Sequence, residues 1–237
     1  MVHFDCHQTM DADAEIAPVA ALVADRTRST ILWALSDGRA LPACELAGQA
    51  GVTAATISYH LDRLIAGRLV SAERHGRHRY YRLANPAVVG VLEALAIVAP
   101  PAPARTFKEG QKAKALRFAR TCYDHLAGQL GVRIHEALLG RGCLVPEGSA
   151  CVLTPGGERL LAGLAVDVEA ARALRRSFAR PCLDWSERRH HLAGALGAAL
   201  LERFLELRWI DRTASSRAVR LSEPGRRGLC EHFGLEV

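Results

Sequence analysis

The chain has 237 residues, 49% of them hydrophobic but only 5% aromatic, and 31 Lys and Arg against 25 Asp and Glu give it a formal charge of +6. That length suits two small domains or one large one, the apolar fraction excludes disorder as the main state, and a core drawn chiefly from Ala, Leu and Val favours helices. No stretch reaches the apolar length of a membrane span, the start MVHFDCHQTMDADAE lacks a basic segment followed by an apolar one, and the seven cysteines form no compact disulfide-like framework, so a cytoplasmic protein with free, metal-binding or oxidant-responsive thiols is expected.

Residues 1–14 are expected to be a flexible arm. In EIAPVAALVADRTRSTILWAL, residues 15–35, Ile16, Val19, Leu22 and Val23 fall at helical spacing, as do Ile31, Leu32 and Leu35, which predicts two short helices broken over Asp25–Ser29. Residues 41–70, LPACELAGQAGVTAATISYHLDRLIAGRLV, carry one apolar stripe through Leu46, Ala47 and Ala50 and another through Val52, Ile57, Leu61 and Leu64. Between the stripes stand Gly51, suited to a left-handed turn, and Thr53, suited to cap the following helix; the pattern is a helix-turn-helix. The polar side of its second helix presents Thr53, Thr56, Ser58, Tyr59, His60 and Arg63, groups that reach phosphates and base edges in a major groove. LVSAERHGRHRYYRLAN then alternates at period two about a turn at His75-Gly76, predicting a hairpin whose tip holds Arg74, His75, Arg77, His78 and Arg79. So many cations at one tip suit a wing lying along a phosphate backbone better than a protein interior. A winged helix used for protein contact is the plainer alternative.

In this order of elements, from VADRTRSTILWAL through ELAGQAGVTAATISYHLDRLIAGRLV to HGRHRYYRLA, the chain resembles the ArsR family of winged-helix repressors over roughly residues 15–98. The resemblance implies a DNA-binding homodimer that releases operator DNA when a metal, metalloid, oxidant or other signal binds. It also implies a dimer interface built from the first helix and from the helix after the wing, here NPAVVGVLEALAIVA, which is apolar nearly all round. Two departures concern sensing. Where metal-sensing relatives carry a form like CVCEL, this chain has PACEL, so Cys44 stands alone unless His3, Cys6 and His7 of the arm assist it; a disordered arm and a structural Cys44 are the plainer reading. The helix after the wing has no His and only Glu93 as an acidic group, so the family's other metal site is absent.

The proline-rich APPAPARTF predicts a stiff linker over residues 99–108, followed by a domain at 109–237. That domain repeats itself, about 113–170 against 175–237. FARTCYDHLAG places Cys122, Asp124 and His125 against Cys182, Asp184 and His191 of FARPCLDWSERRHHLAG, and the likeness runs on through an apolar helix into CVLTPGGERLL and AVRLSEPGRRGL. Each copy reads as a helix, a hairpin and a Thr/Ser-capped second helix, wing-like units packed about a pseudo-two-fold axis. With Cys122 and His125 three apart on one helix face, these residues together with His190 or His191 would offer S, N and O donors suited to Zn²⁺ or a related transition ion, or a thiolate reactive to oxidants. His190 and His191 are adjacent, so at most one can serve. Alternatively the duplication preserves a buried cysteine, a helix-capping aspartate and a backbone-bonded histidine.

The expected fold is thus mostly α with small β-hairpin wings, a winged helix-turn-helix followed by a mainly helical domain of two similar repeats. The expected function is a dimeric repressor on double-stranded palindromic operator DNA, modulated by a metal ion, oxidant or small molecule at the C-terminal domain. Two other classes stay open: a regulator without an effector, and a thiol-dependent enzyme, against which stands the lack of a glycine-rich phosphate loop, a nucleophile elbow or a distinctive Cys/His signature.

Overall fold

Two hydrophobic cores joined by buried ion pairs organise the computed structural model, which describes residues 15–76, 78–100, 106–213 and 216–237. His3, Cys6, His7, Arg77 and most of the proline-rich stretch lie outside the described residues. The first half runs α1 (Ile16–Val23), α2 (Arg26–Ala34), β1 (Leu41–Pro42), α3 (Ala43–Ala50), α4 (Ala54–Ala66), β2 (Val70–His75), β3 (His78–Leu83) and α5 (Ala87–Val98). The break between α1 and α2 is shorter than expected because the Asp25 carboxylate accepts from the Arg28 N–H at 2.9 Å and starts the second helix at once. Gly51 ends α3 at φ +67°, and Thr53 accepts from the Thr56 N–H to open α4, so the helix-turn-helix forms as its sequence dictates. The three strands pair antiparallel in the order β1-β3-β2, and the register from Val70↔Leu83 to His75↔His78 keeps His75 in strand, so that Gly76 but not His75 belongs to the wing turn. Ile31, Leu32, Leu35, Leu46, Ile57, Leu61 and Leu64 fill this core. By contrast α1 buries no residue, and Val91, Leu95 and Val98 of α5 are exposed.

The second half opens with α6 (Phe107–Phe118), so the last two residues expected in the linker are helical. Then come β4 (Arg120–Cys122), β5 (His125–Ala127), α7 (Gly128–Gly140), β6 (Leu144–Glu147), β7 (Ala150–Leu153), α8 (Pro155–Gly163) and the connecting α9 (Val168–Ala173). The pattern repeats as β8 (Arg180–Leu183), β9 (His190–Ala193), α10 (Gly194–Glu206), β10 (Ile210–Arg212), β11 (Val219–Leu221) and α11 (Glu223–Phe233). Each copy is therefore hairpin, helix, hairpin, helix. Thr154 and Ser222 cap the closing helices in the same way, each accepting from a glycine N–H with proline in the first turn.

This corrects one expectation that bears on the site: Cys122 and His125 do not share a helix face. They are a cross-strand pair in the β4–β5 hairpin, Cys122↔His125, just as Cys182↔His191 pair across β8–β9. Two residues suffice to reverse the chain between β4 and β5, because Tyr123 takes a left-handed φ of +59°. In β8–β9 the longer WSER-containing turn separates the same two positions.

The repeats are interlocked, since α7 of the first packs on β9 of the second and α10 of the second on β5 of the first. Glycine makes both crossings possible. A Cβ on Gly131 would lie 2.5 Å from the Leu126 carbonyl and 3.5 Å from the His191 Cβ, and one on Gly197 would lie 2.6 Å from the Leu192 carbonyl and 3.2 Å from the His125 Cβ. No helix among the described residues is long and apolar enough to cross a membrane. Gly131→Ala and Gly197→Ala should each lower the unfolding free energy by about 1–3 kcal/mol, because backbone must move to admit a methyl group. Gly48→Ala in α3, where nothing lies within 4 Å, should raise it by roughly 0.5–1 kcal/mol. Urea unfolding of chelator-treated protein checks the opposite signs.

Candidate sensor site and DNA-contacting surface

The pseudo-two-fold crossing brings the two Cys-His pairs together. One ligand atom from each of Cys122, His125, Cys182 and His191 lies within 4.8 Å of the other three, and the two imidazole Nε2 atoms are 3.1 Å apart. Cys122, His125 and His191 are buried, while Cys182 is half-buried. The two remaining duplicated residues stand behind them. Asp124 Oδ1 is 3.2 Å from His125 Nδ1, and Asp184 Oδ2 is 3.2 Å from His191 Nδ1, so each ring is turned with Nε2 toward the centre. A carboxylate behind the far nitrogen of a histidine is how metal ligands are commonly oriented and made more basic. His190, expected as a candidate, is exposed; on strand β9 it points opposite to His191, and only its carbonyl is engaged, accepting from His135 Nδ1 at 3.0 Å.

The carboxylates differ in their support. Asp124 is partly exposed and salt-bridged to Arg176; burial works against its charge, but His125 and Arg176 hold its pKa below the usual value. Asp184 is fully buried. Its Oδ2 accepts from Arg120 at 2.9 Å and from the Gly128 N–H at 2.7 Å, and its Oδ1 accepts from the Ser186 N–H and hydroxyl. Against the cost of burial, His191, Arg120 and these donors hold it ionised far below the ordinary carboxylate range. Burial depresses the His191 pKa, but Asp184 and Cys182 outweigh it and raise the imidazole. The thiols are unequal as well. Hydrogen bonding between the two raises Cys122 and lowers Cys182, with burial adding to the rise of Cys122 and both histidines adding to the fall of Cys182. The two thiols are thus shifted in opposite directions.

Residues not anticipated from the sequence tie the cluster to the first half. Glu93 of α5 is buried, with Arg217 Nη1 3.6 Å away and Arg120 Nη2 3.9 Å away. Burial raises its pKa against both arginines. A cavity of about 460 Å³ lies between Val89, Gly90, Glu93 and Ile97 of α5 and Cys122, His125 and Cys182, so α5 roofs the cluster. The Tyr123 N–H donates to the Ser36 carbonyl at 2.8 Å, and Thr121 exchanges backbone and guanidinium bonds with Arg217. Of the other cysteines, Cys44 and Cys230 are exposed, and Cys151 meets only His135, at 4.0 Å.

The residues expected to contact DNA are partly committed to the protein's own fold. On α4, Ser58, Tyr59 and Arg63 are exposed, but the Thr53 hydroxyl caps the helix and bonds Thr56, and His60 Nδ1 turns back to Asp25 at 3.5 Å. On the wing Arg74 stands opposite Arg79 in register, with His75 opposite His78. Like charges directly opposite destabilise a strand pair, and neither arginine has a carboxylate partner among the described residues, although the Arg79 guanidinium lies over the Tyr81 ring at 5.3 Å.

Replacing Asp184 by Asn should cost about 3–5 kcal/mol, because Arg120 stays buried without its charged partner. For the half-exposed Asp124 the same change should cost within about 1 kcal/mol. A carboxylate with a depressed folded pKa contributes stability that is present above its unfolded value and lost as pH falls below it. Wild-type stability should therefore drop steeply below about pH 4, a limb that Asp184→Asn flattens in urea titrations run down the acid range.

Comparison with known proteins agrees with this assignment of the first half. The family model of the bacterial regulatory proteins of the arsR family matches residues 25–72. The HTH-type transcriptional regulator YdfF of Bacillus subtilis (strain 168) is 45% identical over 222 residues, covering 94% of this chain and 98% of that one. The HTH-type transcriptional regulator KmtR of Mycobacterium tuberculosis (strain ATCC 25618 / H37Rv) is 41% identical over 70 residues, which are 30% of this chain and 53% of that one. Among solved structures, NolR from Sinorhizobium fredii shares 29% identity over 36% of this chain and 85% of that one, with a TM-score of 0.33. With an arsR-type helix-turn-helix and a relative alike over nearly its whole length, the protein belongs to the HTH-type transcriptional regulators of the ArsR family and is a DNA-binding regulator.

Proposed function

We propose that this regulator is a homodimeric repressor whose operator affinity is set by a divalent transition ion held between the two C-terminal repeats. The observation that carries this reading is the convergence of Cys122, His125, Cys182 and His191, each histidine backed by its own aspartate. Two thiolates and two imidazoles match the donors Zn²⁺ takes, and the mixed soft and borderline set disfavours Mg²⁺ or Ca²⁺. When bound, the ion would supply cross-linking of the β4–β5 and β8–β9 hairpins. The chain's own residues would do the rest: Asp124 and Asp184 keep each Nδ1 protonated and each Nε2 free, and a proton leaves Cys122 as donor atoms are engaged, so affinity rises with pH. Because α5 roofs the cluster through Glu93, closure of the hairpins is felt at the helix that, with α1, presents the exposed apolar residues Ile16, Val91, Leu95 and Val98. Those faces suit a two-fold dimer seam, which would set the spacing of two α4 helices on an imperfect palindrome.

A second reading rests on the thiol pair itself. With Cys182 held as thiolate beside the Cys122 thiol, a peroxide could oxidise Cys182 to a sulfenic acid, releasing water or an alcohol; Cys122 would then displace water from that sulfur to form a disulfide, the peroxide being the two-electron acceptor.

Native mass spectrometry of reduced protein should show one divalent ion per chain, lost on chelation and absent from Cys122→Ser and Cys182→Ser. Loading the ion should weaken operator binding in mobility-shift titrations by about 5–150-fold, the usual range of allosteric coupling. An ion that binds without changing DNA affinity would reduce the site to a structural clamp, and no ion with a peroxide-induced loss of two hydrogens would favour the redox reading. In a separate measurement, Arg74→Ala and Arg79→Ala should each weaken DNA binding for all sequences alike and lower the salt dependence of log K by about 1.

A further inference from the structure

A second cavity, of about 670 Å³, lies where the two halves of the chain meet and shares none of the cluster's four donors. Its wall is made by Trp33 and Thr30 of α2, Gln49 of α3 and Ala96 and Ala99 around the end of α5 on one side, and by α6, Trp185 and Arg217 on the other. The volume falls in the range of roughly 300–1,000 Å³ typical of small-molecule sites. Two indoles form part of the lining, their centroids 6.5 Å apart at 59°, each stacked by a guanidinium: Arg217 over Trp33 at 4.4 Å and Arg120 over Trp185 at 4.6 Å. Such pairs set positive charge against two aromatic walls that meet at an angle.

The polar lining has one sign. Lys112, Arg117, Arg188 and Arg217 all face the cavity, and no Asp or Glu among the described residues lines it. Lys112, Arg117 and Arg188 make no ion pair with a carboxylate among the described residues. In addition, the Trp185 indole N–H is buried without an acceptor among the described residues.

We propose that this interdomain cavity binds a planar aromatic anion, a bicyclic or substituted monocyclic acid whose ring packs against Trp33 and Trp185 and whose carboxylate meets the cationic rim at Arg117 and Arg188. The site has direct routes to both functional regions. Trp33 stands on α2, which packs on α3 and α4 of the helix-turn-helix, while Trp185 follows Asp184, the carboxylate behind His191. A ligand bridging the two halves would fix their spacing whether or not an ion occupies the cluster.

The test is calorimetric titration of the full-length protein, chelated and unchelated, with 2-naphthoate, indole-3-acetate and 4-hydroxybenzoate, and with 2-naphthamide as the uncharged counterpart of the first. One site per chain is expected, with 2-naphthoate binding at least about tenfold tighter than 2-naphthamide, the discrimination one charge-assisted hydrogen bond supplies. The double variant Arg117→Gln/Arg188→Gln, both positions exposed and remote from the cores, should lose that preference while binding the amide unchanged. Tryptophan quenching by 2-naphthoate should persist in Trp209→Phe, whose indole stacks on Phe204 elsewhere. Equal affinity for acid and amide, binding by none of the three acids below about 1 mM, an unaltered preference in the double variant, or quenching lost with Trp209 would each overturn the proposal. Persistence in chelated protein separates it from the metal reading, which can fail without affecting it.

Discussion

The buried carboxylate of Asp184 is the point from which the C-terminal half is assembled. A fully desolvated charge is tolerated only when its lone pairs are filled, and here they are filled from three places: the Arg120 guanidinium at the start of the first repeat, the Gly128 N–H that opens α7, and the Ser186 turn of its own hairpin. His191 lies against the same oxygen. Arg120 in turn stacks on Trp185 and approaches Glu93, whose second neighbour is Arg217. One negative charge thereby joins repeat to repeat and, through a chain of alternating charges, the repeats to α5. Losing it would unsettle fold and donor cluster together.

Duplication explains why four donors converge without a compact ligand motif. Each repeat contributes only two, on a hairpin too short to surround an ion, and neither pair has a meaning of its own. Exchange of helices across the pseudo-two-fold axis, α7 on β9 and α10 on β5, sets hairpin against hairpin, and the glycines at 131 and 197 let each helix lie close against the Leu126 or Leu192 carbonyl of its own hairpin with the other repeat's histidine Cβ alongside. The equivalence is imperfect: Asp124 is half-exposed and paired with a surface arginine, Asp184 is sealed, and the two thiols are shifted in opposite directions.

The DNA-binding half was legible in the sequence because its signals are local. Gly51 and Thr53 punctuate two amphipathic helices, and the wing alternates at period two. The donor residues were legible as well, since direct comparison of FARTCYDHLAG with FARPCLDWSERRHHLAG picks out both Cys-Asp-His sets. Their secondary structure was not. Three-residue strands are too short to show alternation, so Cys122 and His125 looked like helical neighbours when they face each other across a two-residue turn. The roles of Glu93, Arg120 and Arg217 were out of reach, because a charged residue inside an apolar helix or beside a strand gives no local sign of partners some 30 to 120 positions away. His190 and His191 could be separated only once β9 was known to be a strand.

Helix α5 has two faces with two employments, one closing over the donor cluster through Glu93 and the other carrying the exposed row Val91, Leu95 and Val98. Rigid helices transmit displacement from one side to the other, so on the proposed reading the face that would meet a second subunit and the chamber beneath it cannot drift apart in evolution independently. A new sensing chemistry grafted under α5 would inherit the old assembly, and a new assembly would have to be reconciled with the old chemistry.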